Sequence, residues 1–141
     1  MAEDRLQLKV ITPDRLVIDK TVDEVVASGE LGEFGVLPGH VPFITTLTPG
    51  ELRFRDGSDT STLILHSGVA EVNENVVNIL VDEAEDPAKI DKEAARKEYN
   101  ELEHEIRHGE IRSVEESEEL LTKLKLARLR LGSEYYEKPI S

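Results

Sequence analysis

The 141-residue sequence contains no cysteine, which excludes disulfide scaffolds, thiolate metal centres and cysteine nucleophiles together. It also has no tryptophan and only three Phe and three Tyr, leaving Val, Leu and Ile to fill any interior. No apolar run approaches the roughly 20 residues needed to cross a bilayer as a helix. Basic residues are in deficit: 17 Lys and Arg against 30 Asp and Glu give a net charge of −13. A field of that sign repels phosphate backbones and anionic lipid surfaces, so no direct nucleic-acid partner is expected. The opening "MAEDRLQLKV" places acids where a secretory signal is basic and then apolar, and nothing there resembles a transit leader. The expectation is a soluble chain at a bacterial cytoplasmic face, still able to dock on a membrane complex.

What is present falls into two halves with different periods. Up to residue 86 the apolar residues alternate, as with Leu6, Leu8 and Val10 around Gln7 and Lys9. Further runs of this kind, "RLVID", "EVVAS", "FITTL", "ELRFR", "TLILHSGVAEV" and "NVVNILVDEA", are separated by "TPD", "TPGE", "RDGSD" and "NEN". Many short strands with such turns predict an antiparallel β-sandwich or flattened barrel. From Pro87 the period becomes helical. Asp86 is the expected N-cap, Pro87 the first helical residue, and Ala95, Tyr99, Leu102 and Ile106 one stripe. His108-Gly109 supplies the stop. A second helix opens with a Ser113/Glu116 capping box and carries Leu120, Leu124, Ala127 and Leu131. The class is α+β: a sandwich over residues 1–86 and an antiparallel two-helix hairpin over 87–141.

Charge divides at the same boundary. Residues 1–86 hold 17 acidic and 6 basic side chains, whereas 87–141 hold 13 and 11. Within the second helix "EESEE" precedes Lys123, Lys125, Arg128 and Arg130. Acids first and bases last suit the helix macrodipole, and a basic end equally suits an acidic partner.

Signals for catalysis are thin. His104 and His108 stand at i and i+4, and "HEIRH" has Glu105 where a metalloprotease helix carries its base. A third ligand and a walled cavity are missing, so two solvated helix-end histidines are expected. A small metal-dependent hydrolase using His104, Glu105 and His108 is the enzymatic alternative. His66 is expected in the core or on a sheet face. Neither a G-x-S-x-G elbow nor a phosphate-binding G-x-x-x-x-G-K-[ST] occurs, and the glycines of "GELGEFG" do not lead from a strand into a helix. No catalytic or metal-binding residue is assigned. The stretch "GEFGVLPGHVPF", residues 32–43, reads instead as a rigid loop. Gly32 and Gly35 permit positive φ or close approach, Pro38-Gly39 a turn, and Pro42 a fixed exit. With Glu33 and His40 on it, the loop is either a corner between sheets or a surface for a partner.

Residues 29–54, "GELGEFGVLPGHVPFITTLTPGELRF", closely resemble the signature of the epsilon subunit of the rotary F-type ATP synthase, and "LHSGVAEVNENVVNILVDEAE" resembles that family's next block. The resemblance implies a ten-stranded sandwich plus a helical hairpin at the foot of the central stalk, with no chemistry of its own. Implied partners are the gamma subunit, the ring of c subunits and the alpha/beta catalytic head. By the same resemblance Glu33, Pro38, Gly39 and His40 fall at the stalk and ring contact. Lys123, Lys125, Arg128 and Arg130 match a basic stretch that faces the beta subunit when the hairpin extends and opposes ATP hydrolysis. Some bacterial members bind ATP between the helices through I-D-x-x-R-A. Here Ile90, Asp91 and Ala95 match, Ala94 stands where the arginine belongs, and Arg96 lies about 200° away around the helix. Arg130 matches a second-helix arginine, whereas Leu126 replaces another. Weak or absent ATP binding is the expectation, and no cofactor is implied.

Overall fold

Leu6, Leu8 and Val10 on β1 (Leu6–Ile11) are wholly buried, and Gln7, Lys9 and Ile11 between them are half-buried. That two-residue alternation is what a strand with one face on an apolar interior must show. In this computed structural model residues 4–110 and 112–132 are described. The chain forms two compact units, Met1–Asp86 and Pro87–Ser141, of which residues 133–141 lie outside the described set.

In the first unit β1 is followed by β2 (Leu16–Val22), β3 (Glu24–Gly29), β4 (Gly32–Val36), β5 (Phe43–Leu47), β6 (Gly50–Asp56), β7 (Asp59–Leu65), β8 (Gly68–Asn73), β9 (Val76–Val81) and β10 (Ala84–Glu85). The ten strands form one sheet in the order β10-β7-β6-β3-β5-β8-β9-β1-β2, with β4 paired to β3. This is the expected β-sandwich, and its core is aliphatic: Val25, Val36, Leu52, Ala70, Val77 and Ile79 are fully buried. Each Val or Leu so placed contributes about 1.5–3 kcal/mol relative to exposure.

Two features depart from the expectation. The ladder between β1 and β9 is parallel, with Leu8 opposite Val77 and Val10 opposite Ile79, while the other ladders are antiparallel. Strand polarity is invisible in an alternating pattern when no short turn joins the two strands. The second concerns "GEFGVLPGHVPF": Gly32–Val36 is a strand, hairpinned onto β3 from Gly29↔Gly32 to Val25↔Val36. Only residues 37–42 are loop.

The second unit begins with a 3₁₀ turn at Pro87–Lys89, and the first helix, α1, runs Lys92–His108. The N-cap is therefore Asp91, whose Oδ1 accepts from the backbone N–H groups of Glu93 and Ala94 at 3.0 and 3.1 Å. Asp86 does not cap it, because the 3₁₀ turn intervenes and carries Ile90 against the hairpin's own apolar cluster. The second helix, α2 (Val114–Leu131), starts as expected, with Ser113 Oγ accepting from Glu116 N–H at 3.2 Å. Ala95, Tyr99, Ala127 and Leu131 are buried between the helices, with Leu102 and Leu124 partly so. Polar contacts set the antiparallel register. Lys92 Nζ donates to Arg130 O at 2.6 Å, and Arg112 pairs with Glu105 at 3.0 Å near the connecting loop. Two of the four buried side chains of this cluster are alanines, so the seam removes little apolar area from water.

Candidate functional site: a turn braced against a neighbouring turn

Residues 37–42 leave β4 through Leu37-Pro38-Gly39-His40, where the His40 N–H donates to Leu37 O at 3.1 Å. Pro38 presets the first central position, and Gly39 at φ 87° takes the second, so this is a type II β-turn. Its brace comes from elsewhere in the sheet. The β8–β9 hairpin has a two-residue turn in which Glu74 and Asn75 both carry positive φ, 49° and 62°. That conformation is a type I′ turn, which Asn tolerates better than most residues. It aims Asn75 Oδ1 at the Gly39 N–H, 2.8 Å away.

His40 lies beside Phe43, ring centroids 5.0 Å apart, and Phe43 meets Phe34 edge-on at 5.2 Å. The His40 Nδ1–H donates to Val41 O at 2.7 Å, which makes Nε2 the acceptor of the neutral ring. Near His40 in the chain, Leu37, Val41 and Ile44 are 53%, 69% and 68% exposed. Leu37 belongs to the braced turn, Val41 to the loop that leaves it and Ile44 to β5. Sequence reasoning passed over these three and Asn75, although aliphatic residues inside a Pro/Gly-rich loop were a visible signal.

Glu33 is on β4 rather than in the loop. Its carboxylate accepts from Arg53 on β6 at 3.1 Å, reaching across β3. Half-exposed, it keeps acceptor capacity for a second donor while being held in place by the first. Of the expected glycines, Gly32 does have positive φ, at 122°, whereas Gly35 does not. A Cβ on Gly35 would make only an ordinary contact with Val26, so neither positive φ nor close approach explains that glycine.

On α2, Lys123 and Arg128 are exposed and Lys125 and Arg130 half-buried. Arg130 donates to Glu98 of α1 at 3.3 Å. Of the nucleotide candidates, Asp91 is occupied by capping, Ile90 by packing and Arg130 by Glu98. His104 and His108 are both exposed, with ring centroids 4.7 Å apart. Among the described residues the three-donor cluster lies elsewhere, at His66, Glu83 and Glu85.

Residues 5–87 match the family model of the ATP synthase delta/epsilon chain β-sandwich domain, and the chain belongs to that family. Its relatives are ATP synthase epsilon chains. That of Nitratidesulfovibrio vulgaris is 45% identical over 67% of this chain and 71% of its own length. The chain of Gloeothece citriformis is 44% identical over 68% and 70%, and that of Prochloron didemni 45% identical over 72% and 74%. Among solved structures, a chain of the Euglena gracilis mitochondrial ATP synthase OSCP/F1/c-ring assembly superposes with a TM-score of 0.78 at 23% identity, over 95% of this chain and 80% of that one. A chain of the Tetrahymena thermophila mitochondrial ATP synthase central stalk and c-ring gives 0.67 at 14% identity, over 91% and 95%. These two show likeness of fold. No described helix is long and apolar enough to cross a membrane.

Proposed function

We propose that this chain is a non-catalytic subunit of a proton-translocating ATP synthase that couples c-ring rotation to the gamma subunit and restrains ATP hydrolysis through its hairpin. It acts at the cytoplasmic face of the bacterial plasma membrane, held there by the complex. The sandwich, residues 1–86, docks on gamma and the c ring, and the hairpin, residues 87–141, is the regulatory part. The observation that carries the docking role is the braced turn with the exposed aliphatics on it and after it in the chain. A coupling element must transmit torque without slip, and Pro38, Gly39 and the Asn75 brace reduce the conformational freedom that binding would otherwise remove. Glu33 and His40 supply polar contacts at that edge.

The hairpin's thin seam supports regulation. A helix pair that buries so little between its members is inexpensive to rearrange, and an extended arrangement brings Lys123, Lys125, Arg128 and Arg130 to an acidic segment of the catalytic head. ATP binding through Ile90, Asp91 and Arg130 is weak or absent in this proposal, since each already serves the hairpin. The deciding experiment is reconstitution with gamma and the catalytic head, comparing the full chain with a truncation at residue 87. The truncated chain should still co-purify with gamma while hydrolysis rises. Loss of gamma binding, or equal hydrolysis rates, overturns the corresponding half.

A further inference from the structure

His66 sits in the short link between β7 and β8, Glu83 in the link between β9 and β10, and Glu85 on β10 itself. The backbone clamps the two links together: His66 N–H donates to Glu83 O at 3.0 Å and Asp82 N–H to Ser67 O at 3.1 Å. The side chains then converge. His66 Nε2 is 2.6 Å from Glu85 Oε2 and 3.7 Å from Glu83 Oε2. The first distance is a hydrogen bond; the second is too long for one. Two carboxylates thus face one imidazole nitrogen, in the half of the chain that carries most of the acidic excess. His66 and Glu85 are largely buried, with side chains 18% and 15% exposed, while Glu83 at 63% leaves an entry from solvent.

From this juxtaposition we propose that His66, Glu83 and Glu85 form a binding site for one divalent transition-metal ion of the zinc class. One donor atom from each residue lies within 4.8 Å of the other two. Tetrahedral bonds of about 2.0–2.2 Å set ligand atoms roughly 3.3–3.6 Å apart. Reaching that spacing means opening the His66–Glu85 contact by no more than about 1 Å and turning in the exposed Glu83, the ligand with most freedom. The donor set selects the ion: an imidazole nitrogen favours Zn²⁺ over Mg²⁺, which prefers oxygen ligands and retains its waters. Two carboxylates neutralise the ion, and a fourth position is left for water. Such an ion would staple β10, a two-residue strand held to β7 only at Ala84↔Leu65 and Glu85↔Ile64, just before the sandwich ends.

The test is Zn²⁺ titration of the full chain by calorimetry, with thermal unfolding as a second readout. One equivalent should bind and raise the unfolding temperature, and Mg²⁺ should not compete. Glu83→Gln should weaken binding at least about tenfold, since even residues that merely support a ligand cost 10–100-fold. His66→Gln should remove binding, and His104→Ala/His108→Ala should leave it intact. The proposal is overturned if the wild type does not bind Zn²⁺, if Glu83→Gln binds as the wild type does, or if only the His104/His108 variant loses binding. Should His66→Gln fail to fold, the exposed Glu83 variant still decides.

Discussion

Gly39 and Asn75 are joined by a backbone-to-side-chain hydrogen bond of 2.8 Å that links two turns 36 residues apart. Asn75 serves twice: its positive φ closes the β8–β9 hairpin, and its side chain braces the turn beside His40. Asn75→Gly separates these roles, because glycine accepts the turn conformation and lacks the acceptor. The variant should fold with stability changed by less than about 1.5 kcal/mol, the range of one hydrogen bond. The Gly39 amide should exchange faster with solvent, and affinity for a gamma-containing stalk should fall. Unchanged exchange at Gly39 would show that the Asn75 side chain does not brace this turn.

A second prediction concerns Gly68, the first residue of β8. A Cβ placed there would lie 2.7 Å from Val81 Cα and closer still to Leu80 O, both backbone atoms of the neighbouring strand β9. Backbone cannot rotate away as a side chain can, so Gly68→Ala must push β8 off β9 or distort both. The expected loss is about 3 kcal/mol, the upper end of overpacking costs. For a unit of this size that lowers the unfolding temperature by roughly 12–24 °C. Gly57→Ala is the comparison: it has positive φ but open space, so it should cost about 1–2 kcal/mol. Denaturant midpoints would rank the two.

Where the chain alternates strictly, as along β1 and β9, strands and buried faces were legible from sequence, because burial on one face demands the pattern. β4 was not. Its sequence GEFGV offers only Phe34 and Val36 as apolar markers, and its glycines look like loop. The pairing with β3 that makes it a strand is a tertiary fact. The α1 start was missed for a related reason. Pro87 is a legitimate first helical residue, but Asp91 is the better cap and Ile90 has a packing site to reach, so the chain uses a 3₁₀ turn first. Of the candidate site, Pro38, Gly39 and His40 could be found by turn chemistry, whereas the Asn75 brace and the His66 cluster depend on which turns and links the sheet brings together.

The third prediction is an acid limb of stability. Asp23 holds a carboxylate below its usual range, chiefly because Gly57 N–H donates to it at 2.6 Å and then because Arg5 Nε does at 3.0 Å. Arg5 in turn contacts Asp56 at 2.5 Å, so the residue that leads into β1, the β2–β3 corner and the β6–β7 turn share one network. A carboxylate whose folded pKa is depressed stabilises the fold above its unfolded value of about 3.9, and that contribution disappears as pH falls through the lower folded value. Unfolding temperature in the wild type should therefore drop below about pH 4. Asp23→Asn should start lower at neutral pH and show a shallower fall in acid. Parallel curves for the two proteins would show that Asp23 does not carry the effect.

The basic end of α2 permits a last test, one that separates helix stability from partner binding. Lys123 and Arg128 are exposed, so reversing both, Lys123→Glu and Arg128→Glu, leaves the seam of Ala95, Tyr99, Ala127 and Leu131 untouched. If these charges only complement the helix dipole, circular dichroism and thermal unfolding should register the change, because Arg128 lies in the last turn. If they meet an acidic partner, the larger effect should be on hydrolysis by a reconstituted catalytic head. Exposed ion pairs contribute about 0.2–1 kcal/mol each, so two of them correspond to a release of inhibition of roughly two- to thirtyfold. Raising salt should weaken inhibition in the wild type by screening these pairs and should not weaken it in the variant, where it screens repulsion instead. Salt sensitivity equal in both proteins would place the inhibitory contact away from these two side chains.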